Sequence, residues 1–74
     1  MDKIEYRENI GQQLKQFRES KKLTVYAVSK KGSIRINQVQ AVERGDWNYT
    51  VDALIGYMAG CGLCMHFEDE ITVS

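Results

Sequence analysis

Two short stretches of helical apolar spacing, separated by Gly32-Ser33 and closed by Gly45, constrain this chain more than any other feature. Thr24 stands where an N-cap belongs, because a threonine oxygen can accept from the orphan N–H groups of a first helical turn. Val25 and Val28 follow one turn apart, and the pattern predicts a short helix over 25–31. Gly32-Ser33 then interrupts it. A further helix is predicted from Arg35 to Arg44, with Val39 and Val42 facing inward and Gly45 placed for a left-handed C-cap. With 74 residues, these pieces belong to one domain, 1–74. Its core must be thin, so oligomerisation is an expected source of extra burial.

The flanking segments have helical spacing too. Asp2 followed by Glu5 fits a capping box, and Tyr6, Ile10, Leu14 and Phe17 recur on one face of a helix predicted over about 3–20. Asp46 to Tyr49 reads as a loop. Thr50 caps a last helix, with Asp52 favourable to its dipole and Val51, Leu54, Ile55 and Met58 as its apolar face. Gly60 and Gly62 end it. The period then changes: Leu63, Met65 and Phe67 alternate with Cys64, His66 and Glu68, and Ile71 and Val73 alternate again beyond the acidic Glu68-Asp69-Glu70. The expectation is an all-α, compact four-helix domain with a short C-terminal β-strand, or else a frayed tail, over 63–74. A lone strand has no partner in such a chain, and its unpaired backbone groups invite a second copy. Leu63, Met65 and Phe67 are therefore the expected interface of a homodimer.

The formal net charge is zero, but its distribution is uneven. Residues 15–44 hold eight basic side chains (Lys15, Arg18, Lys21, Lys22, Lys30, Lys31, Arg35 and Arg44) against Glu19 and Glu43, so this stretch carries +6 and the remainder −6. A basic middle between acidic ends can present a positive face to phosphate, although lysines also simply solvate helices. Enzyme chemistry is not expected. The chain has one histidine, no glycine-rich phosphate loop, and no nucleophile–base pair that spacing supports. No cofactor is expected either. Cys61-Gly62-Leu63-Cys64 with His66 offers three possible zinc ligands, whereas a structural site takes four, so metal is not expected. The two cysteines read as small packing residues where the chain leaves the last helix. The longest uncharged stretch, Ala53 to Met65, falls short of the roughly 20 apolar residues a bilayer needs. With no signal-like N-terminus, the expected setting is cytoplasmic, without membrane, with reduced thiols.

Two short helices joined by a tight turn within four make a helix-turn-helix. Ile10-Gly11-Gln12-Gln13-Leu14-Lys15-Gln16-Phe17-Arg18, then Leu23-Thr24, then Val39-Gln40-Ala41-Val42-Glu43-Arg44-Gly45, then Thr50-Val51-Asp52-Ala53-Leu54-Ile55 and Cys61-Gly62-Leu63 fall in register without a gap. Over about residues 6–65 the chain resembles the Cro and phage-repressor (lambda-repressor-like) class of helix-turn-helix domains. It departs from that pattern at Ser29, where alanine is usual, at Gly32 and Ser33, where a large aliphatic residue and then glycine are usual, and at Val25, where a polar residue is common.

The resemblance implies sequence-specific binding of double-stranded DNA by a transcriptional regulator. It places Ile36, Asn37, Gln38 and Ala41 nearest the base edges. Arg35 and Gln40 fall at the flank, Arg35 among base contacts and Gln40 among backbone contacts. It also implies a buried salt link between Glu43 and Arg18. The residue chemistry agrees: Asn or Gln can bind adenine bidentately, Arg can bind guanine, and Ile36 and Ala41 can meet thymine methyls. Thr24, Lys30, Lys31 and Arg44 are candidate phosphate contacts, with Lys21 and Lys22 further basic candidates. Trp47 is expected to pack under the loop, the alternative being an indole N–H donated to phosphate. A second reading remains open. Some toxin–antitoxin pairs use an antitoxin with a repressor-like domain and a short C-terminal strand, and this tail resembles that arrangement, with a toxin protein as partner.

Overall fold

Three of the four helices among the described residues begin where a side-chain oxygen takes up a first-turn N–H, which leaves fewer unsatisfied donors at the helix end. Asp2 Oδ1 accepts from the Glu5 N–H at 2.8 Å, Thr24 Oγ1 from Ala27 at 3.0 Å and Thr50 Oγ1 from Ala53 at 3.0 Å. The computed structural model describes residues 2–69, in which these caps open α1 (Lys3–Ser20), α2 (Val25–Gly32) and α4 (Val51–Cys61). The remaining helix, α3 (Ile36–Arg44), starts on Arg35, whose side chain has no acceptor; the Gln38 side-chain oxygen instead takes the Arg35 N–H at 2.9 Å.

The turn between α2 and α3 differs from the sequence expectation in a physically specific way. Gly32 is the last residue of α2 rather than part of the break, and Ser33 takes the left-handed position with φ 56°. Glycine is needed at 32 for proximity: a Cβ there would overlap the Gly56 carbonyl oxygen of α4. Ser33 therefore adopts a backbone conformation that is costly for a residue with a side chain. Gly45 and Gly62 close α3 and α4 in the left-handed region, where glycine pays no such cost.

The core is Val28, Val39, Val42, Ala53, Tyr57 and Cys61, with Leu14, Leu23, Val25, Ile34, Tyr49, Leu54 and Leu63 packed around it. Helices α2 and α4 approach backbone to backbone. A Cβ at Gly60 would overlap the Val28 carbonyl, just as one at Gly32 would overlap Gly56. Gly11 lets α1 lie equally close to α3, against the carbonyls of Val42 and Glu43.

Helix α4 corrects the sequence reading. Of the expected inner face, Val51 and Ile55 are outward, 70% and 54% exposed, while Leu54 and Met58 are half-buried and Leu54 packs against the core. The buried face is Ala53, Gly56, Tyr57, Gly60 and Cys61, because small residues permit the close α2 contact. On α1, Leu14 reaches the core while Tyr6 and Phe17 stay exposed.

After Cys61 the Leu63 N–H bonds to the Met58 carbonyl at 2.8 Å and Leu63 packs on the core. The expected strand is not seen: residues 63–69 carry no regular structure. A single chain offers this segment no neighbouring strand, so its backbone groups have no ladder to join. Glu70, Ile71 and Val73 lie outside the described residues. No helix among the described residues is long and apolar enough to cross a membrane.

Candidate nucleic-acid interface

At 100° per residue, Asn37, Gln40 and Arg44 fall opposite Val39 and Val42 on α3, with Ile36 and Ala41 on their flanks. Burial follows that wheel. Val39 and Val42 are fully buried, Arg35, Ile36, Asn37, Gln40 and Arg44 are exposed, and Gln38 and Ala41 are half-buried at the edge. The expected base-reading residues are Arg35 at the N-cap and Ile36, Asn37, Gln38 and Ala41 on α3, with Ile36 and Gln38 on opposite flanks of Asn37. A helix of this kind, with amide and cationic groups outward, has the chemistry to match donor and acceptor patterns in a major groove.

The expected backbone contacts are more varied. Thr24 is exposed and its oxygen caps α2, while its hydroxyl proton remains available. Lys30 and Lys31 are exposed in the last turn of α2. Arg44 is paired with Asp46, Nη2 to Oδ2 at 2.8 Å, and this hydrogen bond raises the guanidinium pKa and lowers that of the carboxyl. Lys21 is exposed, and its Nζ donates to the Cys61 carbonyl at 2.7 Å, satisfying the end of α4. Lys22 sits exposed in the left-handed region with φ 58°.

Trp47 also departs from expectation. It is 78% exposed rather than packed under its loop, and it lines a shallow cleft with Ile4, Arg7 and Arg44. Sequence reasoning missed Tyr26. It is exposed in the first turn of α2, and the Lys30 ammonium lies 5.7 Å from its ring centre. The available signal was its position off the Val25–Val28 stripe. The capping role of Gln38 was also missed, although a glutamine three residues into a helix is half of a capping box.

Beneath the surface, α3 is anchored to both neighbouring helices. Arg18 of α1 binds Glu43 through Nε at 2.5 Å and Nη2 at 3.2 Å, and donates to the Leu23 carbonyl at 2.9 Å. The Tyr57 hydroxyl of α4 donates to the same Glu43 carboxylate. The Arg18 and Glu43 side chains are only 11% and 9% exposed, so their mutual satisfaction matters. Burial, then the hydrogen bond to Glu43, push the Tyr57 phenol well above its ordinary range, and the Glu43 bond raises the Arg18 guanidinium pKa. The Arg18–Glu43 link that the family resemblance implied is therefore present, with Tyr57 as an unforeseen third member.

Cys61 is buried and burial raises its thiol pKa, while Cys64 is exposed. No cluster of three or more His, Cys, Asp or Glu side chains suited to a metal occurs among the described residues. No family model and no curated protein matches the chain.

Proposed function

We propose that this chain is a lambda-repressor-like transcriptional regulator that binds duplex DNA by laying α3 in the major groove. The observation that carries the reading is the outward face of α3: Asn37, Gln40 and Arg44 stand exposed on a nine-residue helix, with Arg35 exposed at its N-cap, and the other side is anchored by Val39, Val42 and Glu43. A reading helix must be both polar outward and immobile inward, and α3 combines the two. Lys30, Lys31 and Thr24 of the preceding segment supply backbone contacts that set its register.

Selection from genomic fragments with the full chain tests this reading. It should recover an enriched site, and random duplex should be retarded at low salt. Failure of both would end the DNA reading.

The regulator acts as a homodimer, because two linked reading helices bind a two-fold site far better than one. Two surfaces support a second copy. Phe67 is 87% exposed among the described residues. The outer face of α4 is apolar and continues through Met58 into a groove lined by Ile10, Leu14, Phe17, Leu63 and Met65. A helix that is apolar on both sides normally has both sides covered. The C-terminal strand expected over 63–74 would form only on pairing with the partner's, which would supply its missing ladder. Light scattering on Ile55→Asp and Phe67→Asp separates the helix face from the tail as the contact. Full-length chain that is monomeric at tens of micromolar would refute the dimer.

A further inference from the structure

We infer that Gln38 is a fixed hydrogen-bond donor at the base edges, reading guanine, while Asn37 beside it is the residue free to read adenine. The inference rests on the DNA reading above and adds a polarity to one of its contacts.

Helix α3 is the only one of the four described helices that begins without a side-chain acceptor on its N-cap residue. What holds this helix start is the reciprocal bond of a capping box, an oxygen from the third helical residue for the Arg35 N–H. Gln38 supplies it, Oε1 to N at 2.9 Å. That bond fixes which end of the Gln38 amide faces back toward the chain and which end faces out. Oε1 is turned to the backbone, and Nε2, with two N–H groups, is left to face a ligand. Bidentate reading of adenine needs an acceptor and a donor together, the acceptor taking the adenine amino group. Gln38 can offer that pair only by releasing the cap. Guanine presents two adjacent acceptors, O6 and N7, and a lone amide NH2 group satisfies them without disturbing the Arg35 bond. The Asn37 side chain is exposed and has no hydrogen-bond partner among the described residues, so both ends of its amide remain available. The helix start and the base preference are thus set by the two ends of one side chain.

The test uses the full chain, selection from randomised duplexes, and two substitutions. Gln38→Glu keeps an oxygen for the Arg35 N–H and replaces the outward donor with an acceptor. Gln38→Ala removes both. The expected wild-type site has guanine at the base pair whose preference changes in Gln38→Glu, and the variant should favour cytosine there, whose amino group donates, by about tenfold. Thermal unfolding and amide exchange at Arg35 should be nearly unchanged in Gln38→Glu, whereas Gln38→Ala should unfold at lower temperature with a faster-exchanging Arg35 amide. Adenine at the Gln38-dependent base pair would overturn the inference and leave the DNA reading intact. So would an unchanged site in Gln38→Glu, or an Arg35 amide indifferent to Gln38→Ala. A wild-type chain that enriches no site overturns both.

Discussion

Glu43 is the residue on which α1, α3 and α4 converge, since its carboxylate accepts from Arg18 and from Tyr57. Removing the cation leaves a nearly buried carboxylate half-satisfied, which costs far more than losing an exposed pair. Arg18→Met should lower unfolding free energy by about 3 kcal/mol, read by urea denaturation. The same cluster sets an alkaline limit. The folded Tyr57 phenol holds its proton to higher pH than the unfolded one does, through burial and its bond to Glu43. Its contribution is therefore fully present below the unfolded pKa of about 10 and is lost as pH rises above it. Stability should fall with pH beyond that point, and Tyr57→Phe should flatten the slope. A slope identical in the two proteins would show that other groups set it.

For the elements, α3 and α2 divide the expected labour between specifying and positioning. Asn37→Ala should cost on the order of 1–3 kcal/mol, confined to one base pair of the selected site. Replacing Lys30 and Lys31 with alanine should weaken all sequences alike and reduce the salt slope by about 0.9 per lost phosphate contact, measured by titration at several salt concentrations. The existence and extent of the helices were legible because Thr24, Thr50, Asp2, Gly45 and Gly62 sit at their ends. The outer face of α3 was legible because Val39 and Val42 fix the opposite one. The orientation of α4 was not. Its residues are apolar all round, so periodicity offers two faces of similar character, and only the close approach of Gly56 and Gly60 to α2 decides between them. Trp47 was misread for a related reason: aromatic character argues for burial but carries no information on whether a short loop has room beneath it.

At the scale of the whole molecule, a chain this small leaves a large share of its apolar surface uncovered. Phe17, Val51, Ile55, Met65 and Phe67 are all at or beyond half exposed, or within a point of it. Ile55→Asp should yield a monomer that keeps its helical circular dichroism but binds a two-fold site much more weakly, because the α3 surface is untouched. If Ile55→Asp stays dimeric while Phe67→Asp does not, the tail is the contact.

The α2–α4 seam has a mechanical consequence. Gly32, Gly56 and Gly60 bring the main chains of the two helices into close approach. Side chains are the compliant parts of a protein interior, able to change rotamer and absorb a shift, whereas main chains in contact can only move together. Hydrostatic pressure should therefore find little to compress there. Displacement of α4 by a docking partner would be passed to α2 as through a rigid strut, and from α2 across the short Ser33 turn to the start of α3.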